Sequence, residues 1–328
     1  MDPCTHRVPV TLLSKLTGAP IMSVRYRLAP QNPFPAALVD ALTAYLSLIA
    51  PPPGSLHEAV PANKIIISGD SAGGNLCLSL LQTLLTLRRT ASTIRFHGKE
   101  VPIELPVGLA LSSPWCDVTR SMPSVSSNAI YDFMPPNGLT ETMYHPPPYR
   151  PDDVWPRSPP RTDLYCNASM VVHPLVSPLA CPKELWQGAP PIFMGVGEEE
   201  LADEVLLTAR KIHQAGTPVV VEQYEGMPHC FGLIMRGTAG SRRFFQGLSD
   251  FCLDVGAAGN LDEKRLPQVG NVTFIHRGLQ STTRIPLDDA HPFSDLDVEK
   301  QLRQTLALRV AGENALLEKW HANVKAKL

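Results

Sequence analysis

The chain lacks a strong net charge, a long hydrophobic run and paired cysteines. Its 328 residues carry a formal net charge of −2, which gives no electrostatic reason to bind nucleic acid or an anionic membrane. No apolar run is long enough to span a bilayer, so stable membrane insertion is not expected. The seven cysteines include no Cys-x-x-Cys pair, which favours reduced thiols. Because the first ten residues also lack the basic-then-apolar profile of a signal peptide, we expect a cytoplasmic protein.

Proline, in contrast, is abundant, with 33 residues, or about twice the ordinary usage. Nine of these prolines fall within residues 134–160, which therefore cannot form a regular helix or a central strand. We predict an irregular, cap-like excursion over residues 118–190. Its aromatic side chains either line a pocket for an acyl group or simply pack the excursion together; they are Tyr131, Phe133, Tyr144, Tyr149 and Trp155.

The remaining sequence alternates between two patterns over most of its length. Short apolar runs predict strands, and longer segments with apolar residues at helical spacing predict helices. Such an alternation is typical of a mostly parallel sheet with helices on both faces. The predicted strands cover residues 18–26, 64–68, 107–113, 192–197 and 218–224, and the predicted helices cover residues 35–49, 75–89, 204–216 and 240–256.

One serine stands between a predicted strand and a predicted helix, in the sequence Gly69-Asp70-Ser71-Ala72-Gly73. A chymotrypsin-like Gly-Asp-Ser would lie among β-strands and need its partner histidine upstream. Here a strand enters and a helix leaves, which indicates the Gly-x-Ser-x-Gly elbow of a nucleophilic serine. We expect the two flanking glycines to remove side chains where the strand and the helix crowd each other, so that the serine occupies a strained turn.

A nucleophilic serine needs a base, and the base needs an acid that orients it. In the elbow architecture these partners follow in the order serine, acid, histidine, each beyond the end of a later strand. His229 lies beyond the strand at 218–224. The acid candidates follow the strand at 192–197, and the order of elements alone does not separate them; they are Glu198, Glu199, Glu200 and Asp203.

Several motifs resemble those of the hormone-sensitive-lipase-like esterases, also called the α/β-hydrolase fold-3 family, in spellings closest to fungal members. They are YRLAPQNPFPAALVDALTAY (26–45), GDSAGGNL (69–76), SPWCD (113–117, including Pro114), HPLVSP (173–178), GVGEEELADE (195–204) and YEGMPHCF (224–231). The resemblance covers about residues 5–255. It implies Ser71 as nucleophile, His229 as base and Glu199 as acid, with glutamate in place of the usual aspartate. It also implies Ala72 N–H as an oxyanion donor, a small-molecule ester substrate, and no metal or organic cofactor.

The family also has a His-Gly-Gly-Gly motif before YRLAP, and this motif is absent here. Its glycine N–H groups form most of the family's oxyanion hole, and the strand that leads into it lies between the fourth and fifth strands of the sheet. Residues 19–25 match the fourth strand and residues 64–68 the fifth. We therefore expect an N-terminally incomplete α/β-hydrolase fold with impaired activity. The alternative is direct pairing of residues 19–25 with residues 64–68.

The C-terminal part predicts an extension of the hydrolase domain. We divide the chain into an α/β-hydrolase domain over 1–256 and an extension over 257–328. Residues 257–293 have no strong pattern, whereas residues 294–327 predict a long helix capped by Ser294 and Asp297. Its apolar stripe packs on the domain itself or forms a homodimer contact or a membrane-surface contact. The function that these features favour is carboxylic-ester hydrolysis; the alternatives are a catalytically inactive ligand-binding protein of the same fold and a truncated fragment.

Overall fold

A computed structural model describes residues 3–91, 93–135, 137–258 and 269–326. In these residues, alternating strands and helices build one large sheet covered on both faces. Seven helices and one long C-terminal helix follow the chain as α1 (Arg7–Thr17), α2 (Ala36–Ile49), α3 (Ala72–Thr90), α4 (Ser124–Ser127), α5 (Ala202–Gln214), α6 (Phe231–Ile234), α7 (Ala239–Ala258) and α8 (Asp295–Lys325). The strands are β1 (Ile66–Asp70), β2 (Thr93–Phe96), β3 (Lys99–Pro102), β4 (Gly108–Ser112), β5 (Ile192–Gly197), β6 (Val219–Tyr224), β7 (Asn271–Ile275) and β8 (Thr282–Pro286).

The main sheet has the strand order β1-β4-β5-β6-β7-β8. All neighbours pair in parallel except β7 and β8, which pair antiparallel. Strands β2 and β3 form a separate antiparallel hairpin. The mostly parallel sheet with helices on both faces, which the alternation of elements predicts, is confirmed.

The central strands are apolar on both faces because each face packs against helices. In β4, Leu109 and Leu111 face a core shared with α3, α5 and α8, whereas Ala110 faces a second core with the aromatic side chains of α7. The side chains of β5 and β6 alternate between these two cores in the same way. This alternation is the reason the sequence shows continuous apolar runs at these strands rather than a period of two.

The first predicted strand, residues 18–26, is wrong. This segment contains no strand in the structure, and Ile21 and Met22 are 39% and 49% exposed. An extended segment becomes a strand only when a neighbour accepts and donates its backbone hydrogen bonds. Among the described residues the sheet begins at β1, which pairs only with β4, so the direct pairing of residues 19–25 with residues 64–68 is also not found.

The C-terminal part contains more regular structure than the sequence pattern indicates. Strands β7 and β8 extend the main sheet, although residues 257–293 showed no pattern. The helix predicted for residues 294–327 is observed as α8, with Ser294 and Asp297 forming the capping box; residue 327 and residues 259–268 lie outside the described part. The division at residue 256 stays a prediction, and the sheet itself continues across it.

The proline-rich excursion contains little regular structure. Between β4 and β5 the described residues form α4, a few single turns of 3-10 helix and one isolated antiparallel bridge between Leu139 and Tyr144. In the parts of the chain that the structure describes, no helix is both long enough and apolar enough to cross a bilayer.

Candidate active site

Ser71 lies in the one-residue turn between β1 and α3. Its backbone has φ 53° and ψ −121°, which is a strained conformation for a residue with a side chain. Ser71 N–H donates to Ser112 O at the end of β4, which fixes the turn at the carboxyl edge of the sheet. The strand, sharp turn and helix are those of the predicted elbow.

The crowded glycines of the elbow are not the predicted pair. A Cβ atom on Gly69 would lie 2.5 Å from Gly73 O, and a Cβ on Gly74 would lie 2.7 Å from Pro114 Cα. A Cβ on Gly73 would meet nothing within 4 Å. The expectation that Gly73 relieves crowding is therefore wrong, because the strand approaches the helix at Gly69 and the loop after β4 approaches it at Gly74.

Ser71, His229 and Glu199 form one continuous chain of contacts. His229 Nε2 lies 2.8 Å from Ser71 Oγ, and His229 Nδ1 lies 2.7 Å from Glu199 Oε1. The three residues come from the ends of three different strands, β1, β6 and β5. Glu199 is fully buried and His229 is 5% exposed, so the ion pair is shielded from competing water.

The second oxygen of Glu199 is also held in place. Ser113 Oγ donates to Glu199 Oε2 at 2.7 Å, and Gly197 N–H donates to the same oxygen at 3.0 Å. Ser113 Oγ in turn accepts from Cys230 N–H at 3.1 Å. This serine therefore links the loop that carries the acid to the loop that carries the base.

The other acid candidates point elsewhere. Glu198 accepts from Gly226 N–H at 2.8 Å, Glu200 pairs with Arg120, and Asp203 accepts from Ser124 N–H at 2.8 Å. Among the described acids, Glu199 is thus the carboxylate that reaches the ring of His229.

The electrostatic surroundings favour the protonated form of His229. Burial alone would lower its pKa, but the hydrogen bond to Glu199 and the charge of that carboxylate outweigh burial, so the pKa is raised above its ordinary value. The charges of Asp132 and Asp70 act in the same direction. The imidazolium that forms when histidine accepts a proton is therefore stabilised.

Asp132, which the sequence did not single out, ties the excursion to the loops that carry Glu199 and His229. Its Oδ1 accepts from His229 N–H at 3.2 Å, and its Oδ2 accepts from Glu200 N–H at 2.9 Å. The ring of the next residue, Phe133, lies 6.3 Å from the His229 ring. Phe133 is one of the aromatic candidates named from the sequence, whereas Asp132 has no signal beyond its place in a segment without periodicity.

The other aromatic residues of the excursion pack away from His229. Tyr131 lies against Arg277, Tyr144 lies under Arg309, and Tyr149 packs edge-on against Trp155. Of the five aromatic candidates for an acyl pocket, the structure brings Phe133 to the base.

Three further features surround Ser71. Ala72 is the first residue of α3, and the first N–H groups of an α-helix have no acceptor within the helix. Asp70 Oδ1 lies 2.9 Å from His6 Nε2, so the elbow is linked to the start of α1. Cys230 Sγ lies 3.5 Å from His229 Nε2, and burial raises the pKa of this thiol.

Comparison with known proteins identifies similar sequences and structures. The family described as alpha/beta hydrolase fold matches residues 1–233. The chain is 28% identical to an acetyl-hydrolase of Streptomyces hygroscopicus over 229 residues, which are 70% of this chain and 62% of that protein. It is 29% identical to an esterase of Acinetobacter venetianus over 225 residues, 68% of this chain and 60% of that protein. The chain therefore spans about three fifths of the length of these curated relatives.

The chain also resembles a solved structure. The crystal structure of a hormone-sensitive lipase from a metagenome library matches with a TM-score of 0.60 and 28% identity, covering 78% of this chain and 73% of that one.

Proposed function

Because the chain belongs to the α/β-hydrolase fold family, in its hormone-sensitive-lipase-like branch, we propose that it is a serine esterase acting on small, moderately apolar carboxylic esters. The observation that carries this proposal is the continuous chain of contacts from Ser71 Oγ through His229 to Glu199. The relatives that are an acetyl-hydrolase and an esterase support the ester substrate class.

In the first half of the reaction, Ser71 Oγ attacks the ester carbonyl carbon while His229 Nε2 takes its proton. The resulting tetrahedral intermediate collapses, and His229 returns the proton to the leaving alcohol. An acyl group then remains on Ser71. In the second half, His229 activates a water molecule that attacks this acyl carbonyl, and the carboxylic acid leaves as Ser71 regains its proton.

Glu199 orients His229 and stabilises its charged form. A glutamate side chain is one methylene longer than aspartate, so it has more rotamers to restrict. The contacts of Glu199 Oε2 with Ser113 and Gly197 restrict them. We propose that these contacts allow glutamate to serve where aspartate is usual in the family.

We propose that Ala72 N–H donates to the oxyanion. The 328 residues contain no His-Gly-Gly-Gly sequence, so this donor has no glycine-rich partner loop of that kind. A missing oxyanion donor typically costs about 2.7–4 kcal/mol of transition-state stabilisation, or about 10²–10³ in rate. We therefore expect slow turnover by these residues.

The proposal is tested by replacing Ser71 and His229 separately and together. Hydrolysis of a short-chain nitrophenyl ester should fall by about 10⁴-fold or more in Ser71→Ala and in His229→Ala, or to background if turnover is already slow. The double variant should be no worse than either single one, because the residues act as a unit. A fluorophosphonate should label the parent chain and not Ser71→Ala.

Matched controls are Ser126→Ala and His145→Ala, since both residues are exposed in the excursion. Both controls should retain labelling and turnover. Activity that survives in Ser71→Ala, or losses that add in the double variant, would contradict the proposed mechanism.

A further inference from the structure

A cavity of about 580 Å³ lies between the proline-rich excursion and α8. It is large enough for a small organic ligand. None of its lining side chains belongs to the chain of contacts at Ser71. Those that matter here are Phe34, Arg157, Arg161, Met170, Glu313 and Leu317.

Arg161 is a buried cation whose Nε–H group has no hydrogen-bond acceptor. Arg161 is 8% exposed, and its Nη2 donates a hydrogen bond to Leu164 O at 2.7 Å. Its Nε is buried and has no hydrogen-bond partner. Within the described residues, Arg161 forms no ion pair with a carboxylate; its guanidinium carbon lies 5.9 Å from the centre of the Trp155 ring. Buried guanidinium groups are normally paired with an anion, so a guanidinium that lines a cavity without a carboxylate partner favours an anionic ligand.

The charges around the cavity leave one positive charge uncompensated. Arg157 and Arg161 line the cavity together with a single carboxylate, Glu313, whose Oε2 accepts from Thr162 N–H at 3.2 Å. Just outside, Asp163 and Arg309 compensate each other at 2.6 Å. Burial lowers the pKa of Arg161 and the positive charge of Arg157 acts in the same direction, while the charges of Glu313 and Asp163 oppose them. A further negative charge in the cavity would stabilise the charged form of Arg161.

Most of the remaining wall of the cavity is apolar. Phe34, Met170 and Leu317 contribute hydrocarbon and thioether surface, three prolines and Cys166 add to it, and Asn167 is the one polar, uncharged side chain among the described lining residues. A ligand that satisfies both parts has one anionic end and one aliphatic end. Guanidinium groups bind carboxylates in a planar, two-point geometry.

We propose that this cavity binds a small amphipathic carboxylate, with its carboxylate on Arg161 and Arg157 and its aliphatic chain against Phe34, Met170 and Leu317. This binding is separate from ester hydrolysis, and it stands whether or not Ser71 is a nucleophile.

The test measures the affinity of octanoate by calorimetry, in the parent chain and in Ser71→Ala. Octanoate should bind equally to both, which separates this proposal from the proposed esterase function. Arg161→Met and Arg157→Met should each weaken octanoate binding about tenfold or more, as expected for the loss of a charge-assisted hydrogen bond. The matched control is Arg303→Met, at an exposed position on α8, and it should leave the affinity unchanged.

Two neutral or non-aliphatic probes complete the test. 1-Octanol and inorganic phosphate should each bind more weakly than octanoate, because each satisfies only one part of the cavity. Octanol binding as tightly as octanoate, phosphate binding as tightly as octanoate, or no binding of octanoate would each overturn the proposal. If Arg161→Met does not fold, Arg157→Met carries the test, since Arg157 is exposed; unchanged octanoate affinity in that variant would then overturn it.

Discussion

The conformation of Ser71 depends on which neighbouring positions are free of side chains. The sequence motif contains Gly69 and Gly73 around the serine, and a third glycine, Gly74, follows. In the structure the crowded positions are Gly69 and Gly74, whereas Gly73 faces open space. A motif cannot show this difference, because the atom that crowds Gly74 belongs to Pro114, about forty residues further along the chain.

This difference predicts the order of stability of three alanine variants. Gly69→Ala and Gly74→Ala should each lose about 1–3 kcal/mol or more of unfolding free energy, because a new methyl group would overlap backbone atoms. Gly73→Ala should lose none, since alanine is a better helix former than glycine. Urea unfolding of the three variants measures the effect. Equal destabilisation by all three would contradict the packing described here.

We predict that replacing Asp132 changes the pH profile of ester hydrolysis. Its carboxylate helps to raise the pKa of His229, and in the proposed mechanism His229 must be neutral to accept a proton from Ser71. Asp132→Asn should therefore lower that pKa and shift the acid limb of kcat/KM to lower pH. Asn has a single side-chain acceptor for the two N–H groups of His229 and Glu200, so KM should also rise.

The control for this variant is Asp152→Asn, in the same excursion, where the carboxylate accepts from the local N–H groups of Val154 and Trp155. That variant should keep the parent acid limb. An acid limb that is the same in Asp132→Asn and in the parent would mean that Asp132 supports the loops without acting on the base.

The residues of the candidate site differ in how far the sequence predicts them. Ser71 and His229 follow from the order of strand ends, and the choice of Glu199 among four acids follows from a family resemblance. Ser113 and Asp132 could not be predicted, because their roles depend on contacts between loops that are distant in sequence. The excursion that carries Asp132 has no periodicity from which to place a side chain.

At the scale of secondary-structure elements, α8 shows how far a periodic pattern extends. Its apolar stripe buries Val298 and Leu302 in the core with α3 and α5. Further along the helix, the packing is polar. Arg309 pairs with Asp163, and its guanidinium carbon lies 3.5 Å from the centre of the Tyr144 ring. The end of the stripe is uncovered, with Val324 39% exposed. The apolar pattern therefore predicted the helix correctly. It did not show that only the first part of the stripe is buried in the core.

Strands β7 and β8, unlike α8, were not predicted from the sequence, because they lack a clear pattern. They are short, and β8 is exposed along most of its length, so neither has the apolar run of a central strand. The wrongly predicted strand at residues 18–26 has such a run, but it has no strand beside it in the described sheet. A strand is stable only through its neighbours, and local sequence does not reveal them.

The packing of α8 predicts a difference between two leucines on one helix. Leu302 is 5% exposed in the main core, and Leu296 is 75% exposed. Leu302→Ala should lower the unfolding free energy by about 2–5 kcal/mol, while Leu296→Ala should change it by less than about 0.5 kcal/mol. Thermal and urea unfolding measure both. A small loss in Leu302→Ala would show that α8 is not part of the cooperative core.

At the scale of the whole molecule, the fold buries ionisable groups that the sequence presents as ordinary surface charge. Glu204 is fully buried on α5, and its Oε1 accepts from Cys116 N–H at 2.6 Å and from Asp117 N–H at 3.0 Å. It therefore holds the loop after β4, which also carries Ser113. The sheet and its two helical layers could be predicted from alternating patterns, but this buried acid could not, because its burial results from assembly of the layers.

We predict that the contribution of Glu204 to the unfolding free energy falls as the pH rises. Burial, together with the charge of Asp117, raises the pKa of Glu204 well above 4.5, so the folded chain keeps a proton that the unfolded chain has lost. Its contribution is complete below about pH 4.5 and decreases by about 1.4 kcal/mol per pH unit until the folded carboxyl ionises. Glu204→Gln has no such proton and should show a shallower decline in urea unfolding between about pH 5 and pH 7. Glu318→Gln, at an exposed position on α8, should keep the parent slope. An equally steep decline in Glu204→Gln would mean that other buried groups bind the proton that stabilises the fold.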